Sequence, residues 1–190
     1  MPISYKNKLI FVHNPKTAGT SIMNHFEMER RTHATGNSVR TIHRNVWDSY
    51  KKFMVVRNPW DRFFSSYSYS IEKESYYHSV DEFNKKPIHP DYKIIKNMTF
   101  YEFVEFFSAN KHILKHQQWK TQFNWYVDGV SIIKYENLNK ELTDFIGTKV
   151  VLPYQNKSTN VNYKDFYNSY LIEKVYDFYK EDIDLFNYEF

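Results

Sequence analysis

Residues Phe11–Phe26 read "FVHNPKTAGTSIMNHF". The apolar, strand-like run "KLIFVH" from about Lys8 to His13 breaks at a Pro, Lys and Gly segment, and helical spacing resumes from about Thr17 to Arg30. A strand that feeds a short turn and then a helix opens an α/β unit, and turns of this kind hold anions where the helix begins. The free backbone amides are expected at Ala18, Gly19, Thr20 and Ser21. Gly19 removes a Cβ that would hinder a phosphate, Thr20 and Ser21 add hydroxyl donors, and Lys16 adds a mobile point charge. In the common phosphate loop, G-x-x-x-x-G-K-[ST], lysine directly follows the second glycine; here it stands three places before the only glycine of the stretch. The bland alternative is a plain strand-to-helix turn with a surface lysine.

The β-then-α order recurs at "KKFMVVRNPWDRFFSSY", Lys51–Tyr67, where Pro59 stands in the first turn of a helix and loses no needed donor there. Arg57 falls at the carboxyl end of the strand and Ser65 lies eight residues on, two turns into the helix. A guanidinium fork beside a hydroxyl suits a dianionic phosphate monoester. Asp61 is the competing partner for that arginine. A third strand is expected in "DGVSIIKYEN", followed by a short helix in "NLNKELTDFIG" with an Asn cap and Gly147 at its end. "TFYEFVEFFSA" has helical spacing, and from Asn162 to Phe186 the residues Tyr167, Leu171, Val175 and Phe178 mark one buried helical face. The segment before Asn45 carries little pattern, and Glu72–Met98 reads as a polar excursion.

These elements predict an α/β fold, a small parallel β-sheet flanked by helices, in a single domain over residues 1–190. Ligands of such sheets bind at the carboxyl ends of the strands. A formal charge of +4 favours an anionic ligand without implying nucleic acid. The absence of cysteine excludes disulfides and thiolate chemistry. No apolar run is long enough to span a bilayer and the first residues lack the order of a signal peptide, so a cytoplasmic location is expected. The aromatic residues at helical spacing are expected to be core.

The loop "PKTAGTS" and the strand-loop-helix "VVRNPWDRFFSSY" together resemble the nucleotide site of the sulfotransferases that use 3′-phosphoadenosine 5′-phosphosulfate (PAPS). Further stretches are similar to the branch that sulfates carbohydrates: "HATGNSVRTIHRNVWDSYKKFMVVRNPWDR", "WKTQFNWYVDGVSIIKYENL", and "LPYQNKST" followed by a helix ending in "EDIDLFNYEF". The resemblance implies a P-loop-like sulfotransferase fold and transfer of a sulfuryl group to an acceptor hydroxyl, with release of adenosine 3′,5′-bisphosphate (PAP) and no metal. It assigns Lys16, Thr17, Gly19, Thr20 and Ser21 to the 5′-phosphosulfate, Arg57 and Ser65 to the 3′-phosphate, and Lys157 and Ser158 to a segment near the nucleotide. Lys16 is expected to stabilise the departing oxygen, and His33, or second His43, to accept the hydroxyl proton. Gln122, or Gln118 in a competing alignment, is expected to place the acceptor or the loops around it, and Tyr69 to touch a saccharide. An acidic polysaccharide is one expected acceptor. The rival readings are a nucleotide-dependent, kinase-like phosphotransferase, disfavoured because no strand ends in a magnesium-holding Asp, and a PAP-binding module without turnover.

Overall fold

A computed structural model describes residues 2–28, 33–72, 90–153 and 161–190. Its centre is a sheet of strands β1 (Ile3–Ser4), β2 (Leu9–Val12), β3 (Lys51–Val56) and β4 (Ser131–Lys134), in that spatial order. β2, β3 and β4 are parallel, with Phe11 opposite Phe53 and Val55 opposite Ile133. The edge strand β1 is antiparallel to β2, an addition to the expected parallel sheet that two residues could not announce by periodicity.

Alternation along the strands sorts the core into two faces. Ile10, Val12, Met54 and Val56 pack on one side with Val39, Trp47, Trp125 and Val127. Leu9, Phe11, Phe53 and Val55 pack on the other with Ile22, Met23, Leu142 and Ile133. β2 and the Phe53–Val56 part of β3 are buried from both sides, which is why they read as continuous apolar runs. The covering helices are α1 (Gly19–His25) and α6 (Leu138–Ile146) on the second face and α2 (Gly36–Ile42) on the first. Helices α3 (Pro59–Ile71), α5 (Phe100–Asn110) and α7 (Ser169–Phe186) form a third cluster around Phe63, Phe103, Trp119 and Tyr179, with α4 (Pro90–Ile95) beside it. The expected aromatic core is this cluster.

Several boundaries differ from the sequence pattern. α1 is half the expected length because Glu27 adopts φ 50° and the Met28 N–H returns to the Met23 carbonyl at 2.8 Å, a left-handed helix stop without glycine. α2 arises in the segment that carried little pattern, capped by Thr35 through the Ser38 N–H. Gly36 is required there, since a Cβ would lie 2.4 Å from the Trp125 carbonyl oxygen. Tyr167 precedes α7, whose cap is Asn168, and the helix kinks at Tyr179, which is buried while the expected Phe178 is half-buried. Asn137 stands at the start of α6 without a capping side-chain bond, while Gly147 ends it at φ 88°. No helix among the described residues is long and apolar enough to cross a membrane.

Candidate functional site

The loop after β2 is shaped by its own polar groups. Asn14 donates from Nδ2 to the Val55 carbonyl at 2.7 Å, tying the end of β2 to β3. The buried Thr17 hydroxyl donates to the Asn14 carbonyl at 3.0 Å, so its hydrogen closes the turn rather than facing a ligand. Lys16 and Ala18 both take left-handed conformations, with φ of 70° and 60°. Such conformations in side-chain-bearing residues cost about 1–3 kcal/mol each and are kept where the surroundings impose them. Left-handed residues set among right-handed ones gather successive amides into an anion-binding hollow. The first bond of α1 runs from the Ile22 N–H to the Ala18 carbonyl at 3.1 Å, which leaves the Gly19, Thr20 and Ser21 amides outside the helix ladder. Because α1 has only 7 residues, these amides matter more than its dipole. Gly19 has a further reason to be glycine: a Cβ there would lie 1.8 Å from His13 Nε2, so the missing side chain makes room for the imidazole.

The second receptor is built from side chains on β3 and α3. Arg57 makes a bidentate pair with Asp61, from Nε at 2.7 Å and Nη2 at 2.8 Å, while Nη1 donates to Ser65 Oγ at 3.2 Å and to the Lys16 carbonyl at 3.3 Å. Its guanidinium carbon lies 4.4 Å from the centre of the Tyr135 ring. The competing partner Asp61 is thus engaged: it orients the fork, and Nη1 is directed at Ser65 and the loop. Gln122 is fully buried, and its amide accepts from the Arg57 N–H and donates to the Arg57 carbonyl, both at 2.9 Å. Its side-chain amide thus ties its own loop to the backbone at the end of β3. Asp182 in turn accepts the Gln122 and Phe123 amides at 2.7 and 2.8 Å. Gln118 is also buried and donates to Ser70 Oγ at 2.7 Å.

Lys16 lies 4.0 Å above the Tyr69 ring centre, so Tyr69 holds the ammonium in a cation–π contact. Burial, Arg57 and Arg62 push Lys16 down to about 7, and Glu72 opposes them. His33 is partly buried; its ring lies 4.2 Å from that of His13, and its Nδ1 lies 3.3 Å from the His13 carbonyl. A carbonyl only accepts, so Nδ1 carries the hydrogen and Nε2 keeps its lone pair. Burial lowers the His33 pKa below its ordinary value; the backbone bond opposes this and Arg62 adds to it. His43 caps the C-terminal end of α2, where burial also lowers its pKa, and no contact among the described residues joins it to Lys16. Lys157 and Ser158 lie outside the described residues.

The structure thus brings Lys16, Arg57, Ser65 and Tyr69 together, with His33 reached through His13. Sequence reasoning passed over Arg62, Asn14, Asp182 and Tyr135. For Arg62 a signal existed: it stands three residues before Ser65, on the same helix face.

A parallel sheet whose strand ends carry an amide-lined loop, a lysine and an arginine has the donors that an anionic ligand needs. The model of the sulfotransferase family matches residues 1–189, and the chain belongs to that family. It is a sulfotransferase. Neither a curated protein nor a solved structure gives a significant match.

Proposed function

We propose that the donor is PAPS and the acceptor a carbohydrate hydroxyl. The observation that carries the donor assignment is the pairing of two anion receptors on one rim, linked where Arg57 Nη1 reaches both Ser65 and the Lys16 carbonyl. A nucleotide with phosphates at both ends of its ribose suits that pairing. In this reading the acceptor oxygen attacks sulfur in line, the bond from sulfur to the bridging phosphate oxygen breaks, and PAP leaves. Lys16 neutralises charge building on the leaving oxygen. Nε2 of His33 takes the hydroxyl proton, a role that its lowered pKa supports because the ring stays neutral near pH 7.

The carbohydrate assignment rests on the branch resemblance. Exposed lysines at Lys111, Lys115 and Lys120 support an acidic polysaccharide as acceptor, since the Lys120 carbonyl is itself bonded to Arg62 beside the loop. The kinase-like alternative finds little support at the end of β4: both oxygens of Glu136 are engaged, by the Asn58 N–H and the Tyr188 hydroxyl.

Thermal unfolding with nucleotides tests the donor. PAP without magnesium should raise the unfolding temperature, since a ligand at about 100 times its dissociation constant adds roughly 2.7 kcal/mol. ATP should do much less. Equal stabilisation by ATP, or dependence on magnesium, would favour the phosphotransferase instead.

A further inference from the structure

We propose that Arg62 is a positioning residue that fixes the spacing between the two phosphate receptors and thereby couples them, an inference that rests on the PAP reading above. Arg62 is 1% exposed and lies in the first turns of α3, the helix that carries Ser65. Its Nε donates to the Pro15 carbonyl and its Nη1 to the Lys120 carbonyl, each at 3.0 Å. Three separate stretches of chain meet at one guanidinium.

A buried cation is costly to desolvate, and an apolar side chain would fill the same space without that cost. Tyr179 and Asp182 offset part of the charge of Arg62, yet Nη2 has no partner among the described residues. What the guanidinium supplies beyond packing is direction. The Pro15 carbonyl is the last one before the chain reverses at Lys16, and the next carbonyl, that of Lys16, is held by Arg57. Two consecutive carbonyls of the 5′ loop are therefore fastened to two arginines from the 3′ side, which fixes the backbone just before the amides of Gly19, Thr20 and Ser21. A 3′-phosphate on Arg57 competes with its bond to the Lys16 carbonyl. Arg62 is not exposed to ligand, and it keeps the loop in register while that exchange occurs.

A bisphosphate gains from receptors already held at its own spacing, whereas a monophosphate does not. Lysine retains the charge but lacks the planar fork that spans two carbonyls. Calorimetry on the 190-residue chain and on Arg62→Lys should therefore compare PAP with adenosine 5′-phosphate and adenosine 3′-phosphate, without metal. Each mononucleotide should bind the variant within about 1.5-fold of wild type, while PAP weakens by about tenfold or more. A loss of PAP affinity no larger than the combined losses of the mononucleotides overturns the coupling. Hydrogen exchange on wild-type protein gives a test that does not depend on folding of the variant: with the loop held in register by Arg62, adenosine 3′-phosphate, which places nothing in the 5′ loop, should leave exchange at the amides of residues 18–21 within about threefold of the free protein. Exchange there that speeds by about tenfold or more with the nucleotide bound means that Arg62 does not hold the loop, and overturns the inference. Wild-type protein that binds none of the three nucleotides would overturn the donor reading itself, and this inference with it.

Discussion

The two proposed anion receptors are built on opposite plans. The loop at residues 14–21 presents backbone: left-handed conformations at Lys16 and Ala18, a glycine under an imidazole, and amides outside any ladder. The Arg57–Ser65 receptor presents side chains from a regular strand and a regular helix, with the guanidinium already braced by Asp61 and Tyr135. The first is specific through shape and tolerates changes of side chain better than changes of backbone. The second is the reverse, because its geometry comes from secondary structure that would form without it.

The sharpest way to break that contrast is Gly19→Ala. A methyl group there meets His13, whose ring is hemmed in by the stacked Phe11 ring at 5.1 Å and the tilted His33 ring at 4.2 Å. Overpacking of this kind costs about 1–3 kcal/mol, and the loop that carries the amides must shift. Binding of PAP should fall by about 100-fold or more, since several charge-assisted bonds of about 1.5–3 kcal/mol each depend on the same backbone. Calorimetry with PAP, beside a melting curve to confirm that the variant folds, measures both effects; affinity within threefold of wild type would mean that the loop is not shape-limited.

A paired substitution probes the side-chain receptor. Arg57→Ala should weaken PAP by about 2–3 kcal/mol while leaving a nucleotide without the 3′-phosphate nearly unchanged. Lys16→Ala should weaken PAP less, because backbone amides share the load, and should instead slow turnover by about 10²–10³. Comparing kcat and PAP affinity across the two variants checks this. An Arg57→Ala protein that stays folded and binds PAP normally would remove that residue from the site.

The same contrast governs what could be read from sequence. The strand ends at His13 and Arg57, the proline-started helix and the spacing of Ser65 from Arg57 were legible because periodicity and propensity act locally. The left-handed turns at Lys16 and Ala18 were not, since neither residue favours positive φ and only packing imposes it. The sequence offered a phosphate as the reason for Gly19, whereas its nearest neighbour is His13, six positions earlier in the chain but directly above it in space. The Gln122 clamp on Arg57 joins residues 65 apart, beyond the reach of any local pattern. α2 was missed because its stability comes from packing Gly36 and Val39 against the sheet and the Trp125 segment, not from helix propensity.

The smallest expected effect separates Lys16 from the amides around it. Without donor, burial and then Arg57 hold the Lys16 pKa at about 7, well under the unfolded value of about 10.4. Between those two values the unfolded chain binds the proton more readily than the folded one, so the contribution of Lys16 to stability is full above the unfolded value and is lost as pH falls toward 7. A bound phosphate favours the ammonium and raises its pKa again. Binding above pH 7 must then take up a proton, and PAP affinity should decline by up to about tenfold per pH unit until the bound-state value is reached. Below pH 7 Lys16 is already charged and adds no slope. Calorimetry in buffers of different ionisation enthalpy counts the proton directly. The slope should vanish in Lys16→Ala, where the amides alone remain; a wild-type affinity that stays flat from pH 7 to 9 would mean that Lys16 keeps its proton in the free enzyme.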